Sequence, residues 1–209
     1  MRDLRRALAS RYDRLREAWF DRRFGIQTQG EEHDLAALGA SGRHLAEAYG
    51  YEPVQLPVFR AILRAAQVEP GEFVYVDFGS GKGRALLLAA EHGFRRAVGV
   101  ELAPRLHEIA ERNAQAYRRR RPGACPIELH CGDAADFALP AGKLFLSFYN
   151  PFGETVLRKV VANIEDALRA QPREVVVAYR NPVHAAVLDA VPFLRALVRN
   201  RTFVLYKSG

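Results

Sequence analysis

The chain is poor in the residues that build metal centres, disulfide frameworks and membrane spans. Its 209 residues include 2 cysteines and 6 histidines. Cys125 and Cys131 show no metal-ligand spacing, so we expect buried free thiols in a reducing compartment. The histidines form no H-x-x-x-H or H-x-H cluster, and we therefore predict no metal site. No apolar run approaches the length of a transmembrane helix.

The N-terminal region also lacks the apolar core of a signal peptide, because charged residues occur throughout it. We expect a cytoplasmic protein that does not act at a membrane. With 49% hydrophobic residues, the chain can bury a full α/β core. We predict an N-terminal helical extension or cap over residues 1–70 and one α/β domain over residues 71–209. The oligomeric state is left open.

The extension begins with an apolar stripe on an arginine-rich helix. We predict that this stripe docks onto the domain; its members are Leu4, Leu8, Tyr12, Leu15 and Trp19. Gln29, Tyr51 and Gln55 lie in the same extension and are candidate ligand contacts.

The clearest functional pattern is a glycine-rich turn between an apolar run and an apolar helix. Residues 74–84 read VYVDFGSGKGR, and residues 85–90 continue as ALLLAA. A strand, a glycine turn and a helix start together expose backbone N–H groups and predict a nucleotide site. The dinucleotide pattern G-x-G-x-x-G fails, because its third glycine falls on Arg84. The P-loop pattern fails at Val76 and Gly83, which replace its first glycine and its hydroxyl residue.

Polar residues end the strands that follow. Residues 96–101 predict a strand ending on Glu101, whose carboxylate can accept hydrogen bonds from both ribose hydroxyls. Residues 127–131 alternate as an edge strand does and lead to Asp133. Residues 143–149 are nearly continuously apolar, which predicts a strand buried on both faces.

The D-x-G-x-G-x-G spacing from Asp77 to Gly83 resembles motif I of the class I S-adenosylmethionine (SAM)-dependent methyltransferases. The resemblance implies SAM as cofactor and a Rossmann-like α/β fold. Its seven-stranded, mostly parallel sheet would end in an antiparallel hairpin. In this family an acid after the third strand bonds the adenine amino group, a role that falls to Asp133. The cofactor-binding residues implied are Asp77, Phe78, Gly79, Ser80, Gly81, Gly83, Glu101, Leu102, Asp133, Ala134 and Asn150.

Three segments are similar to the protein-lysine methyltransferases that lack a SET domain, of the Dot1-like type. They are residues 51–53 (YEP), residues 77–84 (DFGSGKGR) and residues 149–153 (YNPFG). Asn150 matches an asparagine that contacts the methionine part of SAM near the lysine channel. The resemblance implies N-methylation of a protein lysine. We predict Tyr149 and Asn150 as the catalytic residues, which orient the acceptor amine rather than abstract a proton.

Three alternatives stay open. Asn150-Pro151-Phe152 is also similar to the loop of methyltransferases that act on exocyclic amines of nucleic-acid bases. The net charge of +7 and the basic run Arg118–Arg121 agree with that acceptor, although a basic helix end also suits the helix dipole. A small-molecule acceptor is the second alternative. A SAM-binding module without catalysis is the third.

Overall fold

A computed structural model of the protein describes residues 17–209, which are built around one seven-stranded sheet. Its strands are β1 (Phe73–Phe78), β2 (Arg96–Glu101), β3 (Ile127–Cys131), β4 (Lys143–Tyr149), β5 (Val175–Arg180), β6 (Leu194–Arg199) and β7 (Phe203–Ser208). The spatial order is β3-β2-β1-β4-β5-β7-β6. The first five strands run parallel, and β7 pairs antiparallel with β5 and β6. The predicted Rossmann-like sheet with its C-terminal hairpin is confirmed.

Helices cover both faces of this sheet. They are α1 (residues 17–24 of the described chain), α2 (Leu56–Ala66), α3 (Arg84–Glu91), α4 (Pro104–Arg120), α5 (Glu154–Ala170) and α6 (Ala185–Asp189). The dipeptide Asn181-Pro182 is typical of a helix start, but α6 begins later, at Ala185. The N–H of Asn181 donates to the carbonyl of Thr202, and Asn181 takes a φ of 46°. The chain therefore turns there before the helix can start.

The core consists of one apolar layer on each side of the sheet. Tyr75 and Phe145 face the layer beneath α2 and α3, whereas Val76 and Leu146 face the layer beneath α5. Strands buried on both faces must be apolar at successive positions, as the sequence of β4 predicts. Within residues 17–209 the structure contains no helix whose length and hydropathy would suit a membrane span.

The described part of the N-terminal extension contacts the domain through a face that the sequence analysis did not predict. Trp19 is 57% exposed, so this member of the predicted stripe does not dock. The other four members lie outside the described residues. Phe20 and Phe24 are buried instead, and Phe24 packs against Tyr117 of α4. The apolar pattern of the sequence did not reveal Phe20 and Phe24 as the buried residues, because the buried face of α1 also carries acidic side chains.

The cysteine prediction holds only in part. Cys125 and Cys131 are both free thiols. Cys125 is half-buried, but Cys131 is exposed, so the expected burial is wrong for Cys131. The reason is its position at the end of β3, an edge strand whose last two residues are open to solvent.

Candidate active site

A cavity of about 250 Å³ opens at the carboxyl ends of the parallel strands. The sheet order reverses between β1 and β4, and ligands of open α/β sheets bind at such a switch point. Seven of the predicted site residues line this cavity: Gly79, Glu101, Leu102, Asp133, Ala134, Tyr149 and Asn150. The fold therefore brings together residues that are far apart in the chain.

The glycine turn needs its glycines for both conformation and close contact. Gly79, Gly81 and Gly83 have φ values of 76°, 53° and 82°, which L side chains rarely adopt. A β-carbon on Gly79 would lie 2.5 Å from Cβ of Pro151, and one on Gly81 would overlap the ring of Tyr51. Of these three glycines, Gly79 lines the cavity, whereas Gly81 is covered by Tyr51 and Gly83 by Ala110.

Glu101 supports this turn from the end of β2. Its Oε2 accepts from the N–H of Gly81 at 2.7 Å, and its Oε1 accepts from the N–H of Ala103 at 2.8 Å. Burial raises the pKa of Glu101, while these backbone hydrogen bonds oppose the rise. Each carboxylate oxygen keeps a second lone pair. The ribose-binding role predicted for Glu101 is compatible with this geometry.

Asp133 is held in place by residues on both sides. Its Oδ1 accepts from the N–H of Ala135 at 2.9 Å, and its Oδ2 lies 2.5 Å from Nδ1 of His44. Nε2 of His44 in turn lies 2.8 Å from Nζ of Lys159. The sequence analysis missed His44, because it lies 89 positions before Asp133 and no local pattern marks it.

Asp77 and Phe78 do not line the main cavity within the described residues. Asp77, at the end of β1, lines a smaller pocket of about 40 Å³ next to it, together with Gly79, Ser80 and Tyr149. Burial raises the pKa of Asp77 to about 7; a hydrogen bond with Ser147 opposes the rise and the charge of Glu101 adds to it. The ring of Phe78 stacks on Phe148 in the core, at 4.8 Å between centroids.

The loop after β4 forms the other end of the cavity. Asn150 has a φ of 41°, and its Oδ1 accepts from the hydroxyl of Tyr179 at 3.0 Å. The N–H of Tyr49 donates to the carbonyl of Pro151 at 3.0 Å. The N-terminal extension thus contacts this loop directly, and the hydrogen bond from Tyr179 fixes the orientation of the Asn150 amide.

Tyr149 lies beneath a buried cation. Cζ of Arg180 is 3.5 Å from the centroid of the Tyr149 ring. Burial raises the pKa of Tyr149, and a hydrogen bond with Glu52 adds to the rise. The phenol stays protonated near neutral pH, so Tyr149 can orient an acceptor but does not serve as a base. We did not select Arg180 from the sequence, although it too ends a buried strand.

The three candidate contacts of the extension differ in position. Tyr51 lines the cavity, and its hydroxyl donates to the carbonyl of Thr28 at 2.7 Å. Gln29 uses its backbone carbonyl to accept from Nζ of Lys82. Gln55 is exposed just before α2. Of these three side chains, the structure brings only Tyr51 to the cavity.

Comparisons with known proteins agree with this geometry. Residues 76–171 match the family model described as a methyltransferase domain. One similar structure is an RNA methyltransferase from Salinibacter ruber in complex with S-adenosyl-L-homocysteine, with 24% identity over 75% of this chain and 92% of that chain and a TM-score of 0.49. Another is precorrin 8W decarboxylase from Methanobacterium thermoautotrophicum, with 22% identity, coverage of 76% and 92%, and a TM-score of 0.52.

A third similar structure is the ribosomal protein L11 methylase from Lactobacillus delbrueckii subsp. bulgaricus. It has 14% identity over 73% of this chain and 76% of that chain, with a TM-score of 0.51. No curated protein matches the chain. At these identities the decarboxylase and the L11 methylase establish a shared fold, and the family model adds the type of domain.

Proposed function

We propose that this chain, a SAM-dependent methyltransferase of the class I superfamily, methylates the side-chain amine of a protein lysine by direct transfer. SAM is the cofactor. The lysine acceptor and the closeness to Dot1-like enzymes are predictions from three sequence segments. The observation that carries the proposal is the Asn150 amide, held by Tyr179 beside Tyr149 at the end of the cavity.

The lining of this end suits a lysine side chain. Tyr49, Tyr149 and Phe152 contribute aromatic surface on which an alkyl chain can pack, and aromatic faces attract an ammonium group. The carboxylate of Glu52, whose side chain is 47% exposed, adds negative charge at the same end. A lysine ammonium would therefore be drawn toward the cavity before it loses its proton.

Residues of this chain would hold the cofactor by backbone and carboxylate contacts. We propose the glycine turn for the methionine end, Glu101 for the ribose, and Asp133 with Ala134 for the adenine. We also propose that the extension, residues 1–70, acts as a cap, because His44, Tyr49 and Tyr51 line the cavity.

Orientation of the acceptor is the chemical task left to the chain, since bound SAM supplies a methyl group already activated on a sulfonium. Oδ1 of Asn150 has a second lone pair, with which it can accept an N–H from the acceptor amine. An apolar and aromatic surrounding disfavours the ammonium form of a lysine and so favours its neutral nucleophile. Alignment of amine and methyl can then account for much of the rate enhancement.

The basic run at the end of α4 gives the nucleic-acid alternative no specific support. Nη1 of Arg120 donates to the carbonyl of Phe24 at 2.7 Å, and Arg121 pairs with Glu91. Half of this run therefore contacts the protein itself. Arg118 and Arg119 are exposed, as a solvated helix end commonly is.

The experiment is to incubate the protein with lysate and radiolabelled SAM, then digest the products. Loss of label to protease supports the lysine proposal, whereas loss to nuclease or label in the small-solute fraction contradicts it. Asn150→Ala should abolish labelling and weaken the binding of S-adenosylhomocysteine (SAH) less than Glu101→Ala does. Glu101→Ala should lose both. Calorimetric binding of SAH with no label in any fraction would favour the non-catalytic module.

A further inference from the structure

The guanidinium of Arg180 is buried at the reactive end without sufficient partners. Its side chain is 10% exposed, and Nη1 has no hydrogen-bond partner among residues 17–209. Nη2 lies 3.9 Å from Oε1 of Glu52, which is beyond hydrogen-bonding distance. The ring of Tyr149 covers one face of the group. A buried cation that keeps an unused donor is unfavourable unless a ligand completes it.

The strand order places Arg180 on the acceptor side of the site. Asp133 follows β3, Glu101 ends β2 and Gly79 follows β1. These three strands are neighbours on one side of β4, and β5 lies on its other side. Arg180 ends β5, two strands past the glycine turn, which is about 10 Å at ordinary strand spacing. The side chain thus lies beyond the nucleoside contacts.

The smaller pocket gives Arg180 a defined neighbourhood. Arg180, Asp77, Ser80 and Tyr149 all line it. Oγ of Ser80 is also buried without a hydrogen-bond partner among the described residues. Two residues that each carry a buried polar atom without a partner therefore line the same pocket, which favours a polar ligand group there.

We propose that Arg180 binds an anionic oxygen, of a carboxylate or a phosphate, on a molecule held at the reactive end of the site. A guanidinium recognises both groups through parallel N–H···O hydrogen bonds. Two molecules could carry this oxygen: the acceptor, in which case the inference rests on the proposed methyl transfer, or the methionine carboxylate of SAM. On the proposed protein acceptor, the oxygen would belong to an acidic or phosphorylated residue close to the methylated lysine.

The first arm of the experiment tests the cofactor as the source. Calorimetry would compare the Kd of SAH with that of 5′-methylthioadenosine, which lacks the methionine carboxylate, at one ionic strength. If the cofactor supplies the anion, Arg180→Met weakens SAH at least tenfold and leaves methylthioadenosine unchanged. Arg195→Met removes an exposed arginine from β6 and serves as the matched control.

The second arm tests the acceptor as the source, using phosphate and acetate as probes. In protein saturated with SAH, each anion should raise Tm relative to chloride at equal ionic strength. Arg180→Met should lose this shift and keep its SAH affinity, whereas Arg195→Met should behave as the wild type. If Arg180→Met changes neither the SAH affinity nor the anion response, the proposal is overturned.

A second variant and a second titration cover the cases in which Arg180→Met does not fold or the wild type does not bind SAH. Should Arg180→Met fail to fold, as judged by circular dichroism, Arg180→Lys carries the same comparison, because an ammonium keeps the charge without the planar fork. A wild-type protein that binds no SAH would contradict the methyltransferase function. The anion titration on the ligand-free protein would still test Arg180 in that case.

Discussion

Arg84 and Arg180 are both buried, yet their surroundings differ. Arg84 pairs with Glu17 and Asp21 of α1, and its Nη1 also donates to Oγ1 of Thr28 at 2.6 Å. Its Nε donates to the carbonyl of Val54 at 2.9 Å. Nε and Nη1 of this guanidinium thus have hydrogen-bond partners, and Nη2 forms its ion pair with Glu17. Arg180 has none for Nη1 within residues 17–209.

The difference distinguishes a structural cation from a binding one. Buried polar groups that serve the fold are satisfied within it, because an unmet hydrogen bond in the interior is costly. Arg84 joins α1 to the helix that follows the glycine turn, and its Nε and Nη1 are satisfied within the fold. Arg180 keeps an unmet donor at the end of the sheet where ligands bind, which is why we assign it to a ligand.

The strongest test of this contrast is Arg84→Met. The substitution leaves Glu17 and Asp21 as buried carboxylates without their cation, so we expect a loss of about 3–5 kcal/mol in the free energy of unfolding. Chemical denaturation measures it. Adding Glu17→Gln and Asp21→Asn should recover part of the loss. An Arg84→Met variant as stable as the wild type would contradict the structural role that we assign to Arg84.

Asp77→Asn tests the acid that shares the smaller pocket with Arg180. The pKa of Asp77 is raised to about 7 in the folded protein, whereas an unfolded aspartate titrates near pH ~4. Between these values the folded state binds the extra proton, so the free energy of unfolding falls as pH rises.

We therefore expect Asp77→Asn to be more stable than the wild type at pH 8, by about 2–4 kcal/mol, with the advantage vanishing below pH ~4. Melting curves from pH 4 to pH 8 measure it. Ser147→Ala, which removes a hydrogen bond that opposes the raised pKa, is the control and should shift the transition upward in pH. Parallel pH profiles for Asp77→Asn and wild type would contradict the assignment.

Arg180→Met is the counterpart of Arg84→Met, because it makes the same substitution at another buried arginine. In the ligand-free protein we expect a stability change within about 1 kcal/mol of zero, or a gain, because a desolvated charge with few partners is removed. The measurement is the same denaturation experiment. A loss as large as that of Arg84→Met would mean that Arg180 also holds the fold together.

Tyr179→Phe should have the smallest effect on stability. It removes the hydrogen bond to Asn150, a loss of about 1 kcal/mol. We expect methyl transfer to fall by a larger factor than SAH affinity, because the amide of Asn150 loses its fixed orientation toward the acceptor amine. Label transfer and calorimetry together measure this split. Unchanged transfer would show that the orientation of Asn150 does not limit the reaction.

The fold and the glycine turn could be predicted because their signals are local. Glycines at positions 79, 81 and 83 mark a turn with positive φ, and the acid of Glu101 follows directly on an apolar strand. Those strands become neighbours by the ordinary rules of parallel sheets. Trp19 and Cys131 were misplaced because burial of a side chain depends on what packs over it.

The sequence by itself determined the strands, the helices around them and the glycine turn. Their signals are hydrophobic periodicity, apolar runs and glycine spacing, each of which is contained within a few consecutive residues. Only the tertiary structure decided that His44 holds Asp133 and that Tyr51 covers Gly81. It also decided that Nη1 of Arg180 lacks a hydrogen-bond partner among residues 17–209, whereas Nη1 of Arg84 has two. Each of these facts depends on which distant residue comes within hydrogen-bonding distance. That is a property of the packed chain and not of any segment.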